Sequence, residues 1–191
     1  MNEALTSLLA VLNDLGLLWF AAGSVASSIH GLPRYTNDVD LLVDIDDVVV
    51  EEVAARVGAE FYMDVDEAKR SIRQGRGFNM MHLATASKID IFPVGRDSFH
   101  RSELARASEE IWTIPGADSI RLVVASAEDT VLSKLRWYQL GGMTSDRQLG
   151  DILGVATRRG LDWDYMREWA PVVGVVALLD RLQTELERKV L

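Results

Sequence analysis

Two aspartates one residue apart, Asp38 and Asp40, head the apolar run Asp38-Val39-Asp40-Leu41-Leu42-Val43. In a strand, residues i and i+2 project to the same face with about 6.6 Å between their backbones, so both carboxylates reach one pair of divalent cations while Val39 points into a core. Without a cation, two acids side by side on an apolar strand repel each other or push one pKa upward, a cost that a structural role leaves unexplained. The competing reading is a strand edge with both acids in solvent. A third carboxylate, Asp90, lies within Lys88-Ile89-Asp90-Ile91-Phe92. There Ile89 and Ile91 pack inward and Asp90 points the other way, toward the same cleft. The three acids suit phosphoryl-type transfer. Two hold a pair of Mg²⁺ ions, with Mn²⁺ as the alternative, and the third shares one metal and helps deprotonate an attacking hydroxyl.

Two further groups could hold an anion. In Ala22-Gly23-Ser24, glycine lets the backbone approach a ligand closely, and the N–H groups of a helix start favour a phosphate. The plainer reading is that Gly23 turns the chain and Ser24 caps the helix. Lys69, Arg70, Arg73 and Arg76 form the dense positive cluster of the first half, suited to a triphosphate tail or to an acceptor's phosphates. The alternative is a solvated helix face that balances Asp64, Asp66 and Glu67.

These residues need elements to hold them. Leu5, Leu8, Leu9, Leu12 and Leu15 recur at helical spacing over Asn2 to Leu15, ended by Gly16. Leu17 to Ala22 reads as a buried strand that turns at Gly23-Ser24 into a helix to about His30. Val39 to Val43 predicts the next strand, and Asp46 the cap of a helix through Arg56. Strands follow at about 60–64, 78–83 and 88–93, with a basic helix or loop from Asp66 to Arg76 between the first two. Ser98 to Glu110 reads as helix, and Trp112 to Ile114 and Ile120 to Val124 as strands. Helices are expected at Glu128 to Leu140, Asp146 to Arg158, Asp162 to Trp169 and Val172 to Lys189, with a break at Pro171. Trp137, Tyr138, Trp163, Tyr165 and Trp169 on these helices read as core-filling aromatics.

Composition excludes several classes. The 191 residues include no Cys, which removes disulfide scaffolds, iron–sulfur sites, thiol nucleophiles and Cys-based zinc sites. His30, His82 and His100 are too scattered for a zinc motif. No signal-like or membrane-spanning stretch is visible, so the expectation is a cytoplasmic protein with no membrane partner. The net charge of −9 argues against a broad nucleic-acid-coating surface. Seven carboxylates and no base lie between Asp38 and Glu52, which means a solvated face or a cation site.

Taken together, Gly23-Ser24, the thirteen-residue gap to Asp38-x-Asp40, and the later strand Asp90 resemble the signature of the DNA polymerase β-type nucleotidyltransferase superfamily. Arg34-x-Thr36-x-Asp38-x-Asp40 and the later Glu128-Asp129-x-x-x-x-Lys134-Leu135 resemble AbiEii-type toxins within it. The pattern of elements predicts an α+β fold, a sheet domain over residues 1–125 with a C-terminal helical bundle over 126–191 packed on it, and the resemblance implies that the sheet is mixed and flanked by helices. It implies Asp38, Asp40 and Asp90 as catalytic metal ligands and Gly23-Ser24 on the terminal phosphates. It sets the helix of Lys134 beside a nucleoside triphosphate, which favours a phosphate contact for that lysine. The implied reaction moves a nucleoside monophosphate to a hydroxyl of an RNA 3′ end, a protein or a small molecule, with an antitoxin as partner if the protein is a toxin. The alternatives are a non-catalytic nucleotide-binding or regulatory module of the same fold, and an aminoglycoside-type drug-modifying enzyme whose cationic substrate is drawn to negative potential.

Overall fold

Short apolar runs alternate with amphipathic segments along the first two thirds of the chain, and each run folds as a strand with at least one buried face. The computed structural model describes residues 2–190 apart from 35, 37, 114–118 and 159, and the backbone alone at 189 and 190. The elements are α1 (Asn2–Asp14), β1 (Trp19–Ala21), α2 (Gly23–His30), β2 (Asp38–Val43), α3 (Val50–Val57), β3 (Phe61–Tyr62), α4 (Val65–Arg73), β4 (Phe78–His82) and β5 (Ser87–Pro93). They continue with α5 (Ser98–Arg106), β6 (Ser108–Trp112), β7 (Ile120–Val124), α6 (Ala127–Leu140), α7 (Asp146–Ala156), α8 (Trp163–Val173) and α9 (Val176–Val190).

Among the described residues, seven strands form one mixed sheet in the order β3-β4-β5-β2-β1-β7-β6. The central pair β2 and β5 is parallel, and its register sets Asp38 opposite Lys88 and Asp40 opposite Asp90. Alternation then sorts the two faces. Val39, Leu41, Val43, Ile89 and Ile91 enter the core, while Asp40, Lys88 and Asp90 stay half-buried and Asp38 exposed on the opposite face. Leu5, Leu8 and Leu12 of α1 are buried in the same core, each contributing about 1.5–3 kcal/mol by leaving water. A second core gathers Phe99 of α5 with Val131, Leu132 and Leu135 of α6 and residues of α7, α8 and α9. The fold is α+β, a mixed sheet with flanking and C-terminal helices.

Three of the boundaries that differ from the sequence reading have a clear physical reason. The helix after Pro93 stops at Arg106, because Ala107 is extended (ψ 139°) and the chain leaves as β6. That strand pairs antiparallel with β7, from Ser108 opposite Val124 to Trp112 opposite Ile120. Sheet completion outweighs the helical pattern there, and on the edge strand Glu109 lies exposed and Glu110 half-buried. Ile114, expected to end a strand, lies outside the described residues. Pro171 does not break a helix but sits in the last turn of α8, which ends at Gly174 in the left-handed conformation (φ 82°). A proline there removes one donor and crowds the carbonyl four residues back, and the helix runs only two residues beyond it. Asp46 caps a turn through the Val48 and Val49 N–H groups, and α3 starts later, at Val50.

Candidate active site

The turn from β1 into α2 is built around an absent side chain. Gly23 has φ +54°, and a Cβ on it would fall 1.9 Å from Asp40 Oδ2. Glycine is needed twice there, for the left-handed backbone and for the space the carboxylate fills. The Ser24 N–H donates to Asp40, and no side chain caps α2, so the helix start faces the carboxylate with its own amides. Burial raises the Asp40 pKa, and the nearby charges of Asp90 and Asp38 push it the same way, against Ser24 and Lys134. Asp38, Asp40 and Asp90 therefore share one neighbourhood.

A cationic wall faces these acids. Lys134 Nζ lies 2.8 Å from Asp151 Oδ2, and Asp151 also accepts from Arg34 Nε at 2.8 Å and Nη2 at 2.9 Å. Arg34 Nη2 reaches on to Ser24 Oγ at 2.8 Å. Burial lowers the Lys134 pKa, and its hydrogen bond to Asp151 works against that. Burial alone would raise Asp151, yet Arg34 and Lys134 hold it below the usual carboxylate range. Between this wall and the sheet lies a cavity of about 330 Å³, with Gly23, Ser24, Asp40 and Lys134 in its lining. Leu42 and Phe92, paired in register, pave its floor beyond Asp40. Glu103 and Trp137 line it too.

The oxygen donors of Asp38, Asp40 and Asp90 suit Mg²⁺ or Mn²⁺ in kind, and the mutual repulsion at Asp40 is what a cation would relieve. Asp90 is engaged by Lys88, Nζ to Oδ2 at 2.8 Å. That hydrogen bond raises the Lys88 pKa, helped by the charges of Asp90, Asp38 and Asp40. Among the described residues, no three His, Cys, Asp or Glu side chains are gathered as a ready metal cluster. The donor set fits the ion, provided that Lys88 leaves Asp90.

The basic cluster goes elsewhere. Lys69 pairs with Glu51, Arg70 with Glu67 and Arg73 with Asp47, while Arg76 is exposed. None of the four lines the cavity. Lys69 and Arg73 tie α4 to α3 and to the turn before it, and Arg70 pairs within α4. Sequence reasoning gave no site role to Arg34, Asp151, Glu103 and Trp137, which line or support the cavity. Trp137 is 55% exposed at the cavity rather than core-filling, whereas Tyr165 and Trp169 do pack against the second core. His30 and His82 are structural, held by the Ala125 carbonyl and by Thr85.

No protein-family model matches the sequence, and no curated protein matches it. Solved structures do match over nearly the whole chain. ANT(2″)-Ia in complex with adenylyl-2″-tobramycin superposes at TM-score 0.54 with 12% identity, covering 99% of this chain and 98% of that one. The chain has a nucleotidyltransferase fold. A solution structure of the antibiotic-resistance factor ANT(2″)-Ia gives TM-score 0.52, 14% identity and coverage of 97% and 94%. An antigenic nucleotidyltransferase-like protein from Paracoccidioides brasiliensis gives 0.51, 15% and coverage of 95% and 90%. Among the described residues of this nucleotidyltransferase fold, no helix is long and apolar enough to cross a membrane.

Proposed function

We propose that this protein transfers a nucleoside monophosphate, AMP in the first place, from a triphosphate to a hydroxyl of a small cationic acceptor. The contact between Gly23 and Asp40 carries the reading. A side-chain-free turn, an uncapped helix start and Asp40, with Asp38 and Asp90 close enough to act on its charge, meet at one end of a cavity, an arrangement that serves a polyphosphate better than it serves folding. The acceptor hydroxyl attacks the α-phosphorus, the bond to the bridging oxygen of the β-phosphate breaks, and pyrophosphate leaves. Asp90 takes the hydroxyl proton after Lys88 turns to solvent, and Lys134 with the α2 amides balances phosphate charge. Asp38, Asp40 and Asp90 would hold Mg²⁺ or Mn²⁺, which neutralises charge on the phosphates and aligns the hydroxyl when bound.

Two observations favour a cationic small molecule as acceptor: the −9 net charge, which attracts cations, and the likeness in fold to ANT(2″)-Ia, solved with an adenylyl-aminoglycoside. The resemblance to AbiEii-type toxins supports an RNA 3′ end and an antitoxin partner as the second reading, which the acidic balance disfavours. Triphosphates labelled at the α-phosphate, Mg²⁺ and three acceptor sets, aminoglycosides, tRNA and a whole-cell lysate, decide between them. Label in a small molecule is expected. Label in RNA would shift the protein to the toxin reading, and binding without any transfer would make it a nucleotide-sensing module.

A further inference from the structure

Glu103 is a buried carboxyl with one oxygen unaccounted for. It is 1% exposed and lines the cavity. Its Oε1 accepts from Ser133 Oγ at 2.8 Å, while Oε2 has no hydrogen-bond partner. A buried polar atom left unpaired costs about 1–3 kcal/mol, and nothing in the mechanism above uses it. Its place in the fold is informative. The acids lie toward the start of β2, Leu42 and Phe92 follow along β2 and β5, and α5 begins beyond the end of β5. A ligand with its phosphates at Gly23 and Asp40 therefore extends over the apolar floor toward Glu103, with the exposed indole of Trp137 at the same cavity.

We infer that Glu103 reads the nucleobase of the bound triphosphate, with Oε2 donating to a ring nitrogen of an adenine-type edge and Oε1 accepting from the neighbouring exocyclic amine. This rests on the reading of the cavity as a triphosphate site. Oε2 donates only when protonated, and its surroundings keep it so. Burial pushes the Glu103 pKa up to about 8, the Ser133 hydrogen bond opposes this, the charges of Asp129 and Asp97 add to it and Arg136 offsets them. His100 Nε2 is 3.9 Å away, but burial lowers its pKa, so the imidazole is neutral at pH 7 and is no counter-ion. Tyr165 on α8 is committed to Asp129, Lys134 to Asp151, and Arg147 faces the cavity from α7.

The test is titration of wild type, Glu103→Gln and Glu103→Ala with Mg-ATP and with Mg-tripolyphosphate at pH 7 and pH 9. A carboxyl that titrates near 8 goes from about 90% to about 10% protonated over that range, so wild-type affinity for ATP should fall about tenfold while tripolyphosphate affinity holds. Glu103→Gln, which keeps a donor and an acceptor, should bind ATP at both pH values alike. Glu103→Ala should lose about tenfold for ATP and nothing for tripolyphosphate. If tripolyphosphate binds but ATP affinity ignores both pH and the alanine change, base reading by Glu103 is overturned and the phosphate site stands. If neither ligand binds wild type, both readings fall. ATP binding that tightens at pH 9 would mean an ionised Glu103 and would also overturn the proposal.

Discussion

At the scale of single residues, Asp40 carries charge that folding opposes and that the proposed ligand site would use. Its pKa is raised above the usual 3.8, by burial first and Asp90 second. A raised carboxyl contributes stability that is complete below its unfolded pKa and is lost as pH rises through the folded one, so at neutral pH the ionised side chain is a cost. Asp40→Asn removes that cost, and the metal-free variant should melt no lower than wild type at pH 7.5, with the difference shrinking toward pH 4. Its turnover should nevertheless fall by about 10²–10³-fold. A variant that melts well below wild type would make Asp40 a structural hydrogen-bond acceptor. Gly23→Ala tests the same contact from the other side. Its methyl would meet Asp40 Oδ2 at 1.9 Å on a backbone with φ +54°, so about 1–3 kcal/mol of stability should be lost in urea titration, and most activity with it. Wild-type behaviour in that variant would show that the turn tolerates a side chain and that the carboxylate does not depend on it.

At the scale of elements, the helical wall is aligned by a polar knot between α5, α6 and α8. Tyr165 Oη donates to Asp129 Oδ1 at 2.6 Å, Ser126 Oγ donates to Oδ2 at 2.8 Å, and the Arg106 guanidinium lies 3.7 Å from the Tyr165 ring centroid. Tyr165→Phe leaves a fully buried acid short of one donor and should cost about 1–3 kcal/mol in chemical unfolding. A change within a few tenths of a kcal/mol would show that the knot is replaceable by packing. The knot is also an instance of what the sequence hides. The shared placement of Asp38, Asp40, Asp90 and Gly23 was legible because strand alternation and a turn glycine are local rules, whereas Lys134 was reached only through the family resemblance. The Arg34 to Asp151 pair spans 117 positions, and Glu103 meets Ser133 across 30, so no local period could announce either. The density of Lys69, Arg70, Arg73 and Arg76 along the chain has another outcome in the fold: α4 pairs the first three with acids of its own, of α3 and of the turn before it, and Arg76, beyond α4, is exposed. The strand Ser108–Trp112 was hidden because its reason is the free edge of β7, which exists only once the sheet has formed.

At the scale of the whole molecule, the acidic excess predicts how an acceptor arrives. With a net charge of −9, a polycationic acceptor is steered at low salt and screened at high salt, so its KM should rise several-fold between about 20 mM and 500 mM salt with little change in kcat. An RNA acceptor would give the opposite trend at low salt, where like charges repel. The turn at Gly23 and the carboxylates of β2 and β5 form the proposed transferase centre. Pyrophosphate release from Mg-ATP in the presence of the acceptor panel, measured side by side for wild type and Asp40→Asn, tests it most directly. Release in wild type should need both Mg²⁺ and an acceptor, and in the variant it should fall to near background. Release that is equal in the two proteins, or absent in wild type with every acceptor class, would contradict it.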